Sequence, residues 1–335
     1  MQNSYEQNQN MKKKDLKKPK LNYFQALVIA FAMLMVLEAC SKKTTTDDST
    51  EVSEDKVSEV VDAVVGEAAG SAGSVEGGAV SLQSVVDVAG GELLPQATCS
   101  YTTARSTCAS SSATVNWAGC SIGTATLTGS ILESYSGTGA SLCLLSGSTS
   151  VLTRTIDSAN PRILTLLTGA TYTTDMSPGV AYDGTTFPTA ASGTVISRIE
   201  SGASNGQTCS PSAPCYTVVL GGLHRVLKSA KGTKFLEHIV TSNLTTVGSR
   251  SAGTRTVSGS MTVWHQLASY RAVNTFSTVV WGSSTCCYPT SGSITSALTG
   301  SLTGTTLTVF TTTCGKANFT GIDAVTSEIT LRQCQ

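Results

Sequence analysis

Val325-Thr326-Ser327-Glu328-Ile329-Thr330-Leu331-Arg332 is the stretch that decides the fold. Val325, Ser327, Ile329 and Leu331 fall at every second position, with Thr326, Glu328, Thr330 and Arg332 between them. A period of two belongs to an extended strand, whose successive side chains point to opposite faces. One face here is largely aliphatic and the other polar, which predicts a half-buried antiparallel strand. Ile294, Leu298 and Leu302 share a face in the same way across Ser296 and Gly300. From Cys99 onward such alternation dominates, and no three-turn helical pattern interrupts it. The predicted fold class is all-β: antiparallel and disulfide-stapled, as an extended twisted sheet, a sandwich or a half-barrel.

Composition points the same way. Charged residues are 13% of the chain and aromatics 6%, whereas Gly, Ser and Thr are abundant. Short β-branched strands joined by Gly/Ser turns produce this profile. The formal net charge of zero hides a division. Residues 41–96 hold eleven acids and three bases, a net of −8, and residues 97–335 hold eight acids and thirteen bases, a net of +5. Like charges keep the first segment extended and it has little apolar surface to bury, so it reads as a disordered acidic tether. The second lacks the dense basic stripe with interleaved aromatics that nucleic acid requires.

The folded part carries a self-match. Val115-Asn116-Trp117 leads to Cys120, Leu127-Thr128-Gly129-Ser130-Ile131 and Cys143, and Val279-Val280-Trp281 leads to Cys287, Leu298-Thr299-Gly300-Ser301-Leu302 and Cys314. Ala191-Ser192-Gly193-Thr194-Val195 and Val257-Ser258-Gly259-Ser260-Met261 echo the central pentad. Trp and Cys are rare, so their recurrence in order predicts an internal repeat, with halves at about 97–190 and 255–335. A glycine inside a strand marks a bulge or a close backbone approach, and a shared bend is expected at these glycines.

There are eleven cysteines. Setting Cys40 aside leaves an even number between Cys99 and Cys334, which predicts disulfides and an oxidising compartment. The repeat makes Cys120–Cys143 equivalent to Cys287–Cys314, and Cys286 then reaches Cys334. Cys209–Cys215 closes a short Ser/Pro loop, and Cys99–Cys108 follows by elimination.

Ahead of the tether, Lys12-Lys13-Lys14 and Lys17-Lys18 precede an apolar run over Leu21–Leu37. This reads as a signal peptide, with Met1 or Met11 as the start, or as an uncleaved anchor. Val36-Leu37-Glu38-Ala39-Cys40 resembles the lipobox of bacterial lipoproteins, although an acidic Glu38 is unusual in that motif. The resemblance implies cleavage before Cys40, lipidation of Cys40 and, through Ser41, sorting to the outer membrane. The domain reading is therefore a signal peptide at 1–39, an acylated Cys40 with its tether to 96, and an all-β region over 97–335.

Few residues suggest chemistry. Gly202-Ala203-Ser204-Asn205-Gly206 fits a nucleophile-elbow pattern but runs into Ser/Pro loop sequence rather than a helix, so Ser204 is expected to be inert. His224, His238 and His265 are the only histidines. His224 and His238 are expected to face each other across a hairpin, with strands near Tyr216–Lys228 and Lys234–Thr241 and a Ser229–Thr233 turn, but no third metal ligand stands beside them. His224, Arg225, Lys228, Lys231 and Lys234 gather about that turn as an anion-binding patch for glycan or lipid headgroups, or as a solvated edge. Trp117, Trp264 and Trp281 read as packing residues, Asp183-Gly184 as a turn, and Cys286-Cys287 as two structural bridges. No catalytic residue, metal site or cofactor is predicted. The expectation is a membrane-anchored, non-enzymatic envelope lipoprotein that binds or displays, with a lipid carrier and an exported hydrolase as alternatives.

Overall fold

The computed structural model describes residues 104–122, 125–176, 179–187, 193–249, 254–282, 286 and 288–331. The leader, Cys40 and the tether lie outside these residues, as do Cys99, Cys287 and Cys334. The strands are β1 (Ser112–Asn116), β2 (Cys120–Ile122), β3 (Ala125–Thr128), β4 (Ser130–Ser136), β5 (Val151–Ile156), β6 (Arg162–Thr165), β7 (Thr171–Asp175), β8 (Thr194–Ile199) and β9 (Gly202–Ser204). They continue as β10 (Gln207–Cys209), β11 (Cys215–Lys228), β12 (Lys234–Ser249), β13 (Thr254–His265), β14 (Tyr270–Trp281), β15 (Pro289–Gly300), β16 (Gly304–Phe310), β17 (Lys316–Thr320) and β18 (Thr326–Thr330). Sixteen of them form one open antiparallel sheet, and β9 and β10 make a separate hairpin. The fold is all-β, as the alternation predicts, and it is built on one open sheet rather than on two packed ones.

The sheet forks at β11. Cys215–Leu220 pairs with β8 and His224–Lys228 with β7 along one edge, while the other edge pairs with β12 throughout. A register shift between Gly221 and Leu223 sits at the fork. An extra residue there bends the strand and raises its twist, so the two halves of one edge diverge and each takes its own partner. One branch runs β8–β5–β4–β1 and the other β7–β6–β3–β2, while β12 to β18 follow as a meander of hairpins.

A single apolar cluster runs over one face from Val115 on β1 to Leu331 after β18. Trp117, Trp281, Leu244, Met261 and Ile329 are all enclosed in it. Burying each such aliphatic side chain contributes roughly 1.5–3 kcal/mol. Among the described residues the only helical segment long enough to name is the 3-10 turn Ala140–Leu142, which cannot cover that face. The sheet therefore covers it by curling, in the sense its native twist allows. The opening stretch shows the limit of the pattern. Ile329 and Leu331 are buried, but Val325 lies in the turn before β18 and is 62% exposed.

The opposite face carries two small covers. Phe187 packs edge-on against Trp264 at 4.9 Å between centroids, with Ala181 and Ile239 around them. Asp183, in the predicted turn, accepts a hydrogen bond from Trp264 Nε1 at 3.3 Å. At the other end the β9–β10 hairpin rests on β12 and β13, where Asn205 Nδ2 donates to Thr245 Oγ1 at 2.8 Å and Ser258 Oγ to the Asn205 carbonyl at 2.7 Å.

The disulfides correct the sequence reading. Cys209–Cys215 is present as expected. Cys143 pairs with Cys108, so neither Cys120–Cys143 nor Cys99–Cys108 forms. The reason is register: β1 runs antiparallel to β4 with Ser112 opposite Ser134, which brings the chain entering β1 beside the chain leaving β4. Cys120 follows the far end of β1, and it is disulfide-bonded to a partner outside the described residues. Cys286, rather than Cys287, reaches Cys314 across the adjoining β14–β15 and β16–β17 connections, which excludes Cys286–Cys334.

Three of the four matched glycines share a conformation, Gly193 being the exception. Gly129 (φ 105°) and Gly300 (φ 117°) are both left-handed, and a Cβ at either would strike backbone atoms of the neighbouring strand or turn. Their settings differ, since Gly129 joins β3 to β4 and Gly300 ends β15.

Candidate functional site

In a strand, residues two apart share a face. Arg154 lies between Leu152 and Ile156, Arg225 between Leu223 and Leu227, and Arg162 two residues before Leu164. All of those aliphatics belong to the enclosed face, so the arginines must point there too. Arg198 follows Ile196 and Arg255 precedes Val257 by the same step, and Arg105 bridges to Val115. Among the described residues six arginines thus face inward, with Glu133 and Glu200 as the acids beside them. Lys228 and Lys316 alternate with inward residues and so face outward, and Lys231 is exposed in a turn.

Glu133 neutralises two of the six. Its side chain is fully buried and accepts from Arg105 Nε at 2.9 Å, Arg154 Nε at 2.8 Å and Tyr135 Oη at 3.0 Å. Charge-assisted bonds on both carboxylate oxygens are what allow a charge to remain there. Burial and the adjacent carboxylate raise the Tyr135 phenol, which keeps it a donor. Arg198 is held by Glu200 at 3.2 Å and by the Tyr216 hydroxyl at 3.1 Å. Arg255 lies over the Trp281 ring, 5.0 Å from its centroid.

Arg162 and Arg225 stand in a transverse row. Arg162 pairs with Thr174, Thr174 with Arg225, Arg225 with His238, His238 with His265, and His265 with Tyr270. The row is bracketed by the two repeated glycines, since Gly129 packs on the Arg162 backbone and Gly300 pairs with Tyr270. Its imidazole end is a stack of rings. His238 meets His265 edge-on at 4.3 Å between centroids, and His265 lies flat on Tyr270 at 4.1 Å. Burial pushes His265 down to about 4; burial with the His265 ring and Arg225 pushes His238 down to about 3. Both are neutral at pH 7, and His265 Nε2 is buried without a hydrogen-bond partner. At the other end burial lowers Arg162 to about 10 and Arg225 to about 9, so both stay charged.

This arrangement differs from the sequence expectation for the same residues. His224 does not face His238. It pairs with Ile239 on the outer face and meets Glu237 at 3.2 Å, while Arg225 is the residue opposite His238. The expected patch of His224, Arg225, Lys228, Lys231 and Lys234 is therefore split between faces. Glu237 also holds Lys234 at 2.7 Å, and these bonds keep its carboxyl below the usual range although burial alone would raise it. The strands and turn of that hairpin lie where they were read, at β11, Ser229–Thr233 and β12. Ser204 sits in a tight hairpin with its hydroxyl 3.1 Å from that of Thr245 and no helix after it. Trp117 and Trp281 are core residues, and Trp264 belongs to the outer cover.

The inward arginines were missed because charge was expected outside. The signal was present nonetheless, as a charged residue flanked two positions away by aliphatics. Among the described residues no cluster of three His, Cys, Asp or Glu could hold a metal ion. No family model matches the chain, and no curated protein or solved structure matches it.

Proposed function

We propose that this chain is an exported, lipid-anchored, non-enzymatic binding protein of the cell envelope, whose ligands are anions. The observation that carries the binding reading is the sorting of charge. Among the described residues six arginines face the enclosed side, and one of them, Arg162, is 8% exposed and makes no ion pair there, although an enclosed charge is costly unless a counter-charge meets it. Export is supported by the disulfides Cys108–Cys143, Cys209–Cys215 and Cys286–Cys314, which persist in oxidising compartments. The lipobox-like Leu37-Glu38-Ala39-Cys40 supports the anchor, and Ser41 supports the outer membrane. A carrier of apolar ligands is less well supported, because Trp117 and Trp281 already fill the enclosed face.

Two measurements test the reading. Growth with an alkyne-tagged palmitate should label the native chain and not a Cys40→Ser variant; equal labelling of the two excludes the anchor. Thermal unfolding of the full chain, at constant ionic strength, should shift upward with phosphate or a carboxylate and not with chloride. Identical midpoints in every salt would remove the binding half of the proposal.

A further inference from the structure

The connection between β7 and β8 is longer than the gap it spans. Both strands run in the same direction along one edge of β11: β7 ends with Asp175 opposite His224, and β8 begins with Thr194 opposite Leu220. At ~3.4 Å per residue the gap between them is about 10–15 Å, which a few extended residues would cross. The chain instead runs through residues 176–193. Irregular connections longer than ~12–15 residues are uncommon in compact domains and serve mostly as lids or binding loops.

Its middle, Val180–Phe187, lies on the outer face, away from the inward arginines. It folds on itself as a small hairpin. Val180 bridges to Thr186, the Ala181 amide donates to the Thr185 carbonyl at 2.8 Å, and Asp183-Gly184 makes the turn. Among the described residues no strand of the sheet pairs with it, so the ladders do not depend on it. Side chains hold it instead. Gln266 grips its backbone twice, Oε1 accepting from the Tyr182 amide at 2.8 Å and Nε2 donating to the Val180 carbonyl at 3.2 Å. Tyr182 Oη donates to the Thr299 carbonyl at 3.1 Å, and Asp183 holds the Trp264 indole.

Phe187 is the anchor. Besides meeting Trp264, it stands over Gly222 at the fork, where a Cβ would lie 3.1 Å from the Phe187 Cβ. Gly222 has a φ of 120°, so glycine both suits the backbone there and leaves the ring its space. The apolar cluster that results, Ala181 and Phe187 on Ile239 and Trp264, is separate from the enclosed core. Lifting the hairpin would bare Trp264 and Ile239 and leave that core closed. Few buried apolar contacts and no ladder bonds mark a unit that opens at less than the global unfolding free energy.

We propose that Val180–Phe187 is a flap, shut in this structure, that opens as a unit while the sheet stays folded, with Phe187 over Gly222 as its catch. Opening bares the Trp264 ring on the outer face and unties β11 from β13 and β15 there. The flap is independent of the anion-binding reading.

Amide hydrogen exchange of the full chain at pH 7 tests this in the native protein, Phe187→Ala and Gln266→Ala. Native Ala181, Tyr182 and Gly184 amides should exchange more slowly than a free peptide, yet about a hundredfold or more faster than the β13 amides beneath them. Phe187→Ala should speed the flap about tenfold or more, and Gln266→Ala several-fold, with β13 unchanged in both. Gln266 lies outside the apolar clusters, so its variant remains a test if Phe187→Ala does not fold. Native flap amides that exchange at the β13 rate would show opening only by global unfolding and overturn the proposal. Free-peptide rates would overturn it too, since no shut state would then exist. Variants that leave the flap unchanged, or that speed β13 equally, would remove the catch and with it the proposal.

Discussion

Lowering the pH should destabilise the protein through His265 well before its carboxylates protonate. The ring is enclosed between His238 and Tyr270, with Arg225 beyond His238, and its folded pKa is about 4 against about 6.5 for a free imidazole. Because the folded value is the lower one, the unfolded chain binds the extra proton. His265 therefore contributes fully above pH 6.5, and the contribution is lost as pH falls towards 4. The slope is about 1.4 kcal/mol per pH unit, or about 3 kcal/mol over the whole window. Urea unfolding with disulfides intact, at pH 7, 6, 5 and 4.5 and constant ionic strength, measures this in the native chain and in His265→Gln. The difference between the two stability curves should narrow by about 2–3 kcal/mol from pH 7 to 4.5. Parallel curves would show that the ring titrates freely in the folded state and refute the burial argument.

Glu133→Gln leaves Arg105 and Arg154 without their shared carboxylate at constant volume, and should cost about 3–5 kcal/mol in urea unfolding; a loss under about 1 kcal/mol would mean the network is solvated. Replacing Cys286 and Cys314 by alanine opens a loop with a sequence separation of 28 and should cost about 3 kcal/mol, while non-reducing peptide maps of the native chain should show Cys286–Cys314 and Cys108–Cys143. Gly129→Ala should cost more than Gly184→Ala, since both are left-handed but only Gly129 would press a methyl into the Pro161 carbonyl; equal midpoints would show that the strands part freely there.

The strands were legible because alternation is local. The β11–β12 hairpin shows it: apolar positions, a Lys/Gly turn and the return strand all lie in one continuous stretch. The fork was not legible, because which strand takes which half of β11 depends on twist accumulated at Gly221-Gly222, and no residue on β7 or β8 records it. Every predicted disulfide but Cys209–Cys215 failed for a related reason. The self-match compares positions along the chain, whereas Cys108 meets Cys143 because β1 and β4 are paired across it. The cationic row was legible residue by residue and not as a row. Arg154 between Leu152 and Ile156 declares its own face, but only the register sets Arg162, Thr174 and Arg225 side by side.

The fork at β11 also imposes an order of assembly. Every pair from β11 to β18 joins neighbours in the chain, so that part can zip up hairpin by hairpin with short loops to close. The part synthesised first is in the opposite position. Both β8 and β7 need β11 as their inner partner, and β5 and β6 depend on them in turn. Two half-sheets therefore wait with unpaired inner edges until residue 228 has emerged, and for that interval they are the segments most open to pairing with another copy. Slowing synthesis or transport after Lys228 should relieve aggregation, whereas the same pause placed before Cys215 should worsen it.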